Sequence, residues 1–482
     1  MQIKPIRFTR IWLTIKRHPY LLILSFFPIF FLNLGKASLF SFDEAWYAEV
    51  ARNILKTQNP FLLFWNGDNF LYQPPLGFWL MALSYLIFGV NEFSARFFSA
   101  LLGFASLGLL YHIGSQLFNK RVGFLSSLML GTSVWFVIRA RSANLDAILV
   151  FFILLNFFLV LKVRTNRKYL FLLAFSFACL LLIKYWIGLG IGPIVLYFLI
   201  KDRKKIKRKD ALLAFLIFLI FSLPFYLINF LNYGLPFLNI IKGFAFRGGG
   251  SQLKLHFKLP LFYLHMGIRE WYYPGLIAFF GSLVFIKKEA VMMIYLYILC
   301  FFLPFIISGK TEIWHLIPLY PGIALLIFSF TDNLLNHTRK FLPLNICPRI
   351  KKLAAAFFII GGLFLSLKQV KEFWLEVMVN NLLESEDARI AKKAVGFKEP
   401  LFFTDLYFPT AVFYSQKELH FVGETTQYLG KKTRSLRELF DNLDQFILLT
   451  TKDALQEEKI SEGEFKLIAQ EGNKLLIRKN IQ

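Results

Sequence analysis

The chain has 482 residues, of which 56% are hydrophobic and 18% aromatic, with 59 Phe and a formal net charge of +25. A mean hydropathy of +0.54 excludes an ordinary water-soluble globule and leaves a polytopic α-helical membrane protein. Only three cysteines occur, Cys179, Cys300 and Cys347, and two of them sit inside apolar runs, so no disulfide framework is implied.

The basic N-terminus leads into an apolar stretch at 19–34 with no small-residue cleavage site after it, which reads as a retained first span. Further runs near the length of a span, about 20 residues, fall at 96–117, 122–138, 146–161, 169–184, 186–200, 211–231, 271–286, 290–307, 313–330 and 353–367, eleven in all. The remaining apolar run, 74–90, is decided by charge. If it does not cross, the clusters around Lys16, Lys120, Arg164, "KDRKKIKRKD" (201–210), Lys287 and Lys351 all share the side of the N-terminus. If it crosses, the densest of them must be translocated, which the positive-inside rule disfavours. The run 74–90 is therefore expected to lie in the outer interface. The positive charge is explained by topology, and no nucleic-acid partner is needed. This threading makes the N-terminus cytoplasmic. It gathers 35–95, 139–146, 232–270, 308–312 and everything after about 370 on the outer face.

The tail changes composition. "EPLFFTDLYFPTAVFYSQKELHFVG" (399–423) reads as strand, short helix, strand, and "DQFILLTTKDALQEE" and "FKLIAQEGNKLLIRK" repeat that theme. The expected organisation is a membrane domain over 1–369 and a small extracytoplasmic α/β domain over 370–482.

The outer segments carry the unusual polar residues. In "SFDEAWYAEVARN" (41–53), Ser41 stands three residues before Glu44, the spacing of a capping box. Trp46, Val50, Ile54 and Leu55 share one helix face, and Glu49, Arg52, Asn53 and Lys56 the other, so an amphipathic interfacial helix is expected. The plain reading of Asp43 and Glu44 is a helix start, stabilised by about 0.3–1 kcal/mol at the positive end of the macrodipole. A second carboxylate, Asp146 in "RARSANLDAILVF", stands at the outer end of another span beside Arg139 and Arg141. It too is plainly read as a cap. The coincidence with Lys184, Arg247, His256, Lys310, Glu312 and His315 on the same face changes the weight. Convergent carboxylates and cations suit transfer from a phosphorylated donor, with a base for the acceptor and positive charge for the departing phosphate.

"FDEAWYAEVARNIL", "QPPLGFWLMALSYLIFGVNEFSARFFSALLG", "RSANLDAIL", "LLIKYWIGLGIGP" and "SGKTEIWHLIPLYPGIALL" follow one another in the order of the integral-membrane GT-C glycosyltransferases. The chain resembles their ArnT-like and protein O-mannosyltransferase-like group, family 39 or 83, over roughly residues 20–330. The resemblance implies a GT-C fold with interfacial helices, a polyprenyl-phosphate sugar donor used on the outer side, and acidic residues in the first two outer loops. It makes Asp43 the group that activates the acceptor and Asp146 the second acidic site, with Glu44 beside them. It makes Lys184, Lys310, Arg247 and Arg141 contacts of the donor phosphate. His256, His315, Tyr72 and Gln73 are further candidates, and Gln73 departs from the charged residue that usually precedes "PPL". Asp43, Glu44, Asp146 and His256 would offer ligands to a divalent metal ion, although no ligand spacing compels one. The acceptor is an envelope lipid or glycan, or a protein as in the O-mannosyltransferases. The rival class is a transporter or flippase of lipid-linked sugar. Carboxylates at span ends on one face, with no two matching halves, favour an enzyme in the cell (inner) membrane.

Overall fold

The computed structural model describes residues 20–39, 42–245, 255–308, 311–337, 347–373, 384–404, 408–422 and 435–480. It forms two compact units. The first takes Met1–Leu32, Leu71–Gly77 and Phe98–Val379, and the second Asn33–Phe70, Phe78–Phe97 and Asn380–Gln482.

Among the described residues five helices are long and apolar enough to cross a membrane: Glu92–Leu117, Asp146–Val163, Arg208–Tyr233, Glu289–Ser308 and Ile313–Leu334. Lys120–Thr132 and Val134–Ala140 make a sixth candidate, bent by 68°. The sequence suggested eleven, and several of the other runs are broken or short. The run 19–34 splits into Tyr20–Leu24 and Phe27–Phe31, the second opening on Pro28, which has no amide hydrogen to continue the first. Tyr169–Leu181 has 13 residues, about 20 Å, short of a hydrocarbon core of about 30 Å. The run 186–200 begins as the 3₁₀ turn Ile187–Ile191. There a Cβ on Gly188 would stand 2.9 Å from the Leu180 carbonyl oxygen, and one on Gly190 2.6 Å from the Phe301 ring. Tyr272–Gly281 is flanked by 3₁₀ turns at Arg269–Trp271 and Ser282–Phe285. The 74–90 segment folds as the helix Leu76–Phe88.

The core of the first unit is aromatic and aliphatic. Phe136, Phe157, Tyr297, Phe301 and Tyr320 are fully buried, and the Tyr297 hydroxyl donates to the Pro318 carbonyl at 2.7 Å. Arg208–Tyr233 instead turns Leu212, Phe215, Ile220 and Leu231 outward. A helix apolar on its outer face is at home in hydrocarbon, not water.

The second unit joins the helix Phe42–Thr57 to a sheet built from the tail. Ser41, the expected cap, lies outside the described residues. The helix is not the surface amphipath its pattern suggested: Glu49 and Arg52, on the polar face, are 4% and 7% exposed. They pair with each other, and Arg52 also donates to the Phe413 carbonyl at 2.9 Å. Burial pushes the Glu49 carboxyl up against the opposing pull of Arg52. Phe64–Trp65 and Asp68–Asn69 form a hairpin whose turn residues Asn66 and Gly67 have φ of 50° and 80°, the residues favoured in a two-residue turn of positive φ.

In the tail, Leu401–Phe403 lies parallel to both Leu419–Phe421 and Ile447–Thr451. Lys474–Lys479 runs antiparallel to Ile447–Thr451, and Phe465–Glu471 pairs antiparallel with Lys474–Lys479 at the edge. The last segment is a hairpin turned at Gly472, whose φ is 58°. Leu439, Phe446, Leu448 and Ile477 pack beneath the sheet with essentially no exposure. Asn66 exchanges two hydrogen bonds with the backbone of Leu419, and the Tyr414 hydroxyl takes the Leu39 amide and donates to Glu92.

Candidate active site

The site in the first unit is built around Asp146. Val134–Ala140 ends at Arg141, the chain turns through 142–145, and Asp146 opens the next helix. That turn folds Arg139 back onto the carboxylate. Asp146 Oδ2 accepts from Arg139 at 2.6 Å and Oδ1 from Lys184 Nζ at 2.5 Å. The Asp146 amide donates to the Asn144 side chain, and the Arg139 guanidinium lies over the Trp314 ring, 5.3 Å from its centroid. Asp146 is 3% exposed, so this is a desolvated carboxylate compensated by two cations. An aspartate so held is an anchor that fixes the ammonium of Lys184.

Lys184 opens onto a cavity of about 590 Å³, lined by Gln73, Tyr185, Tyr263, Phe301, Glu312 and His315 among others. The segment 71–77 reaches this wall because two bonds pin it to the end of Tyr169–Leu181. The Tyr185 hydroxyl donates to the Leu71 carbonyl at 2.9 Å, and the Leu76 amide to the Leu182 carbonyl at 2.8 Å. Gly77 makes the approach possible, since a Cβ there would stand 2.1 Å from Leu145 Cδ2. On another wall, Glu312 and His315 cap one another. The Glu312 amide donates to His315 Nδ1 at 3.2 Å and the Glu312 carboxylate accepts from the His315 amide. With Nδ1 accepting, the neutral ring carries its proton on Nε2. The ring is stacked on Phe305. One cavity thus combines an ammonium, a histidine, an amide and a carboxylate with an aromatic and aliphatic lining.

The other candidates fall elsewhere. Arg141 is not available to a phosphate: it is buried and donates to the Ile29 and Leu32 carbonyls at 2.9 and 2.8 Å. Glu44 is not a second catalytic acid, because Arg96 takes both its oxygens at 2.8 and 3.0 Å. His256 is exposed and is held by its amide to the Ile306 carbonyl; Leu259, three residues on, lines the cavity in its place. Tyr72 is half-buried beside Gln73. Asp43 is half-buried in the first turn of Phe42–Thr57, in the second unit. Arg247 and Lys310 lie outside the described residues. Among the described residues no three His, Cys, Asp or Glu side chains come together as metal ligands. Cations already occupy the oxygens of Glu44 and Asp146, which leaves Asp43 and His256 of the four residues considered for a divalent ion. Residue types alone missed Arg139 as the partner of Asp146. The signal was there: a cation and an acid flanking a short polar turn between two apolar runs.

Residues 72–228 match the family model described as dolichyl-phosphate-mannose-protein mannosyltransferase. A protein of Aquifex aeolicus with no assigned activity is 28% identical over 314 residues, 63% of this chain and 62% of its own length. The undecaprenyl phosphate-alpha-4-amino-4-deoxy-L-arabinose arabinosyl transferase of Wigglesworthia glossinidia brevipalpis is 31% identical over 139 residues, 28% of this chain. The match spans only 24% of that transferase. The crystal structure of ArnT from Cupriavidus metallidurans bound to undecaprenyl phosphate superposes with a TM-score of 0.75 at 16% identity, covering 95% of this chain and 97% of that one. The fold of this chain is therefore that of the ArnT structure.

Proposed function

We propose that this chain, a polytopic membrane protein of GT-C fold similar to ArnT-like glycosyltransferases, moves a sugar from a polyprenyl-phosphate donor to a cell-envelope lipid or glycan. The observation that carries this reading is Lys184, held by Asp146, on the wall of a cavity whose lining combines polar groups with aromatic and aliphatic ones. A fixed ammonium suits the phosphate, and an apolar lining suits an isoprenoid chain. The relatives' names and the undecaprenyl phosphate in the ArnT structure support the same donor class.

In the proposed reaction Asp43 takes the proton of an acceptor hydroxyl. The acceptor oxygen forms a bond to the anomeric carbon, and the bond from that carbon to the phosphate oxygen breaks. The electron pair leaves with the polyprenyl phosphate, with inversion. Lys184, oriented by Asp146, meets the growing negative charge, a role worth on the order of 10²–10³ in rate for one preorganised contact. Lys310 and Arg247 are proposed to assist it from the resemblance alone. The reaction is placed on the extracytoplasmic face, with the N-terminus in the cytoplasm, on the distribution of Lys and Arg.

The test is transfer of radiolabelled sugar from polyprenyl-phosphate donors by wild type, Asp43→Asn and Lys184→Ala, with mass spectrometry of envelope lipids and glycans from a strain lacking the protein. Transfer lost in both variants supports the assignment. Full transfer by Asp43→Asn removes the proposed base, and an unchanged envelope in the deletion strain removes the acceptor class.

A further inference from the structure

A second cavity, of about 490 Å³, lies between Tyr169–Leu181, Gly192–Lys201 and the start of Arg208–Tyr233. Leu170, Leu173, Phe177, Val195 and Phe218 give it an apolar floor, and Arg203 and Arg208 stand on its rim. Leu170 stands at the start of Tyr169–Leu181, about 20 Å long, and Lys184 lies beyond its other end, so this groove is separate from the donor cavity.

The charges around the rim are unequally matched. Asp202 is paired with Arg164 at 3.2 Å and Lys205 at 2.7 Å, Glu289 with Lys201 at 2.9 Å and Arg164 at 3.3 Å, and Asp210 with Arg167 at 3.9 Å. Each carboxylate here is thus taken by another base. Among the described residues neither Arg203 nor Arg208 has an acidic partner, and both are exposed. Arg208–Tyr233 begins on Lys207, whose side chain caps none of its first amides. Two guanidinium groups thus stand at an apolar slot, beside a helix whose residues Leu212 and Ile220 are exposed.

We propose that this groove binds an anionic phospholipid, with its phosphate between Arg203 and Arg208 and an acyl chain along Leu173, Phe177 and Phe218. Guanidinium forks match phosphate oxygens in pairs, and basic pockets between spanning helices take anionic head groups. A chain that buried the slot with its own residues would have no use for two unmatched arginines there. The proposal stands on packing and charge alone and does not depend on the sugar transferred.

Full-length protein, stripped of lipid in neutral detergent, is titrated separately with dioleoylphosphatidylglycerol, dioleoylphosphatidylcholine and undecaprenyl phosphate, and adducts are counted by native mass spectrometry. Phosphatidylglycerol should bind in preference to phosphatidylcholine, and about fivefold more weakly for each of Arg203→Ala and Arg208→Ala. Ala174→Trp, which fills the slot and leaves both arginines, should abolish the preference. Lys204→Ala with Lys209→Ala, in the same charged run but off the groove, should cost less than the arginine pair. Should an alanine variant misfold, Arg203→Lys keeps the charge, loses the fork and should still weaken binding. Equal binding of the two phospholipids, or equal losses from the lysine and arginine pairs, overturns the proposal. So does tighter binding of undecaprenyl phosphate that Ala174→Trp removes, which would give the groove to the sugar carrier.

Discussion

Arg96 and Glu44 meet through two parallel hydrogen bonds, Nε to Oε1 at 2.8 Å and Nη2 to Oε2 at 3.0 Å, with both side chains buried. The same guanidinium donates to the carbonyls of Leu34, Ala37 and Ser38, and so ties the loop before Phe42–Thr57 to that helix. Two neighbouring acids thereby receive different tasks. Arg96→Ala should cost about 3–5 kcal/mol, since it strands a buried carboxylate. Glu44→Gln should lower the melting temperature while the surviving protein keeps most of its transfer rate. Asp43→Asn should lose about 10²–10⁴ in rate. Melting curves and the radiolabel assay, run on the same preparations, read both.

Lys184 and Asp146 should separate in the opposite sense. Lys184→Ala removes the charge that faces the cavity and is expected to lower transfer on the order of 10²–10³-fold. Asp146→Ala leaves Arg139, 9% exposed, without its counter-charge. That variant should lose about 3–5 kcal/mol of stability, and Asp146→Asn, which can still accept a hydrogen bond, should lose less.

Gly77 is fixed by a neighbour. A Cβ at this position would lie 2.1 Å from Leu145 Cδ2, so Gly77→Ala must displace that side chain, at about 1–3 kcal/mol. Adding Leu145→Ala removes the colliding methyls but itself costs about 2–5 kcal/mol at a buried leucine, so the double variant should lose less than the sum of the two single losses.

Asn66 takes the Leu419 amide at 2.8 Å and donates to the Leu419 carbonyl at 3.0 Å. It also holds φ at 50°, which asparagine tolerates. Asn66→Gly keeps the turn and loses both bonds, while Asn66→Asp keeps one acceptor. The glycine variant should cost about 1–3 kcal/mol. Hydrogen exchange at Leu419–Phe421 should rise in the same order.

Acid should loosen the tail. The Glu399 carboxyl is held below the usual glutamate range by its own backbone amide, with help from Arg478. Glu464 is held low by the Ser461 amide and hydroxyl, with help from Arg437. Both depressed groups stabilise the folded state above the ordinary glutamate value, and that contribution fades as pH falls through their folded values. Hydrogen exchange in 465–479 should therefore be flat between about pH 7 and 5, after correction for the intrinsic rate. Protection should decline below about pH 4. Glu399→Gln with Glu464→Gln should flatten that decline.

The apolar runs, the asymmetry of Lys and Arg and the five acidic and basic motifs are properties of local composition, so the membrane class, the GT-C likeness and the places of Asp146 and Lys184 could be read directly from the chain. Helix length could not, because the glycines at 188 and 190 act through what stands opposite them, a carbonyl and a ring. The partners of the charges were equally hidden. Arg139 and Arg141 are two residues apart and alike in type, yet a turn gives one to Asp146 and the other to backbone carbonyls. Glu44 likewise belongs to Arg96, 52 positions away. Charge is written in sequence, but its compensation depends on distances of a few ångströms in a medium without water, and those exist only after the chain has folded.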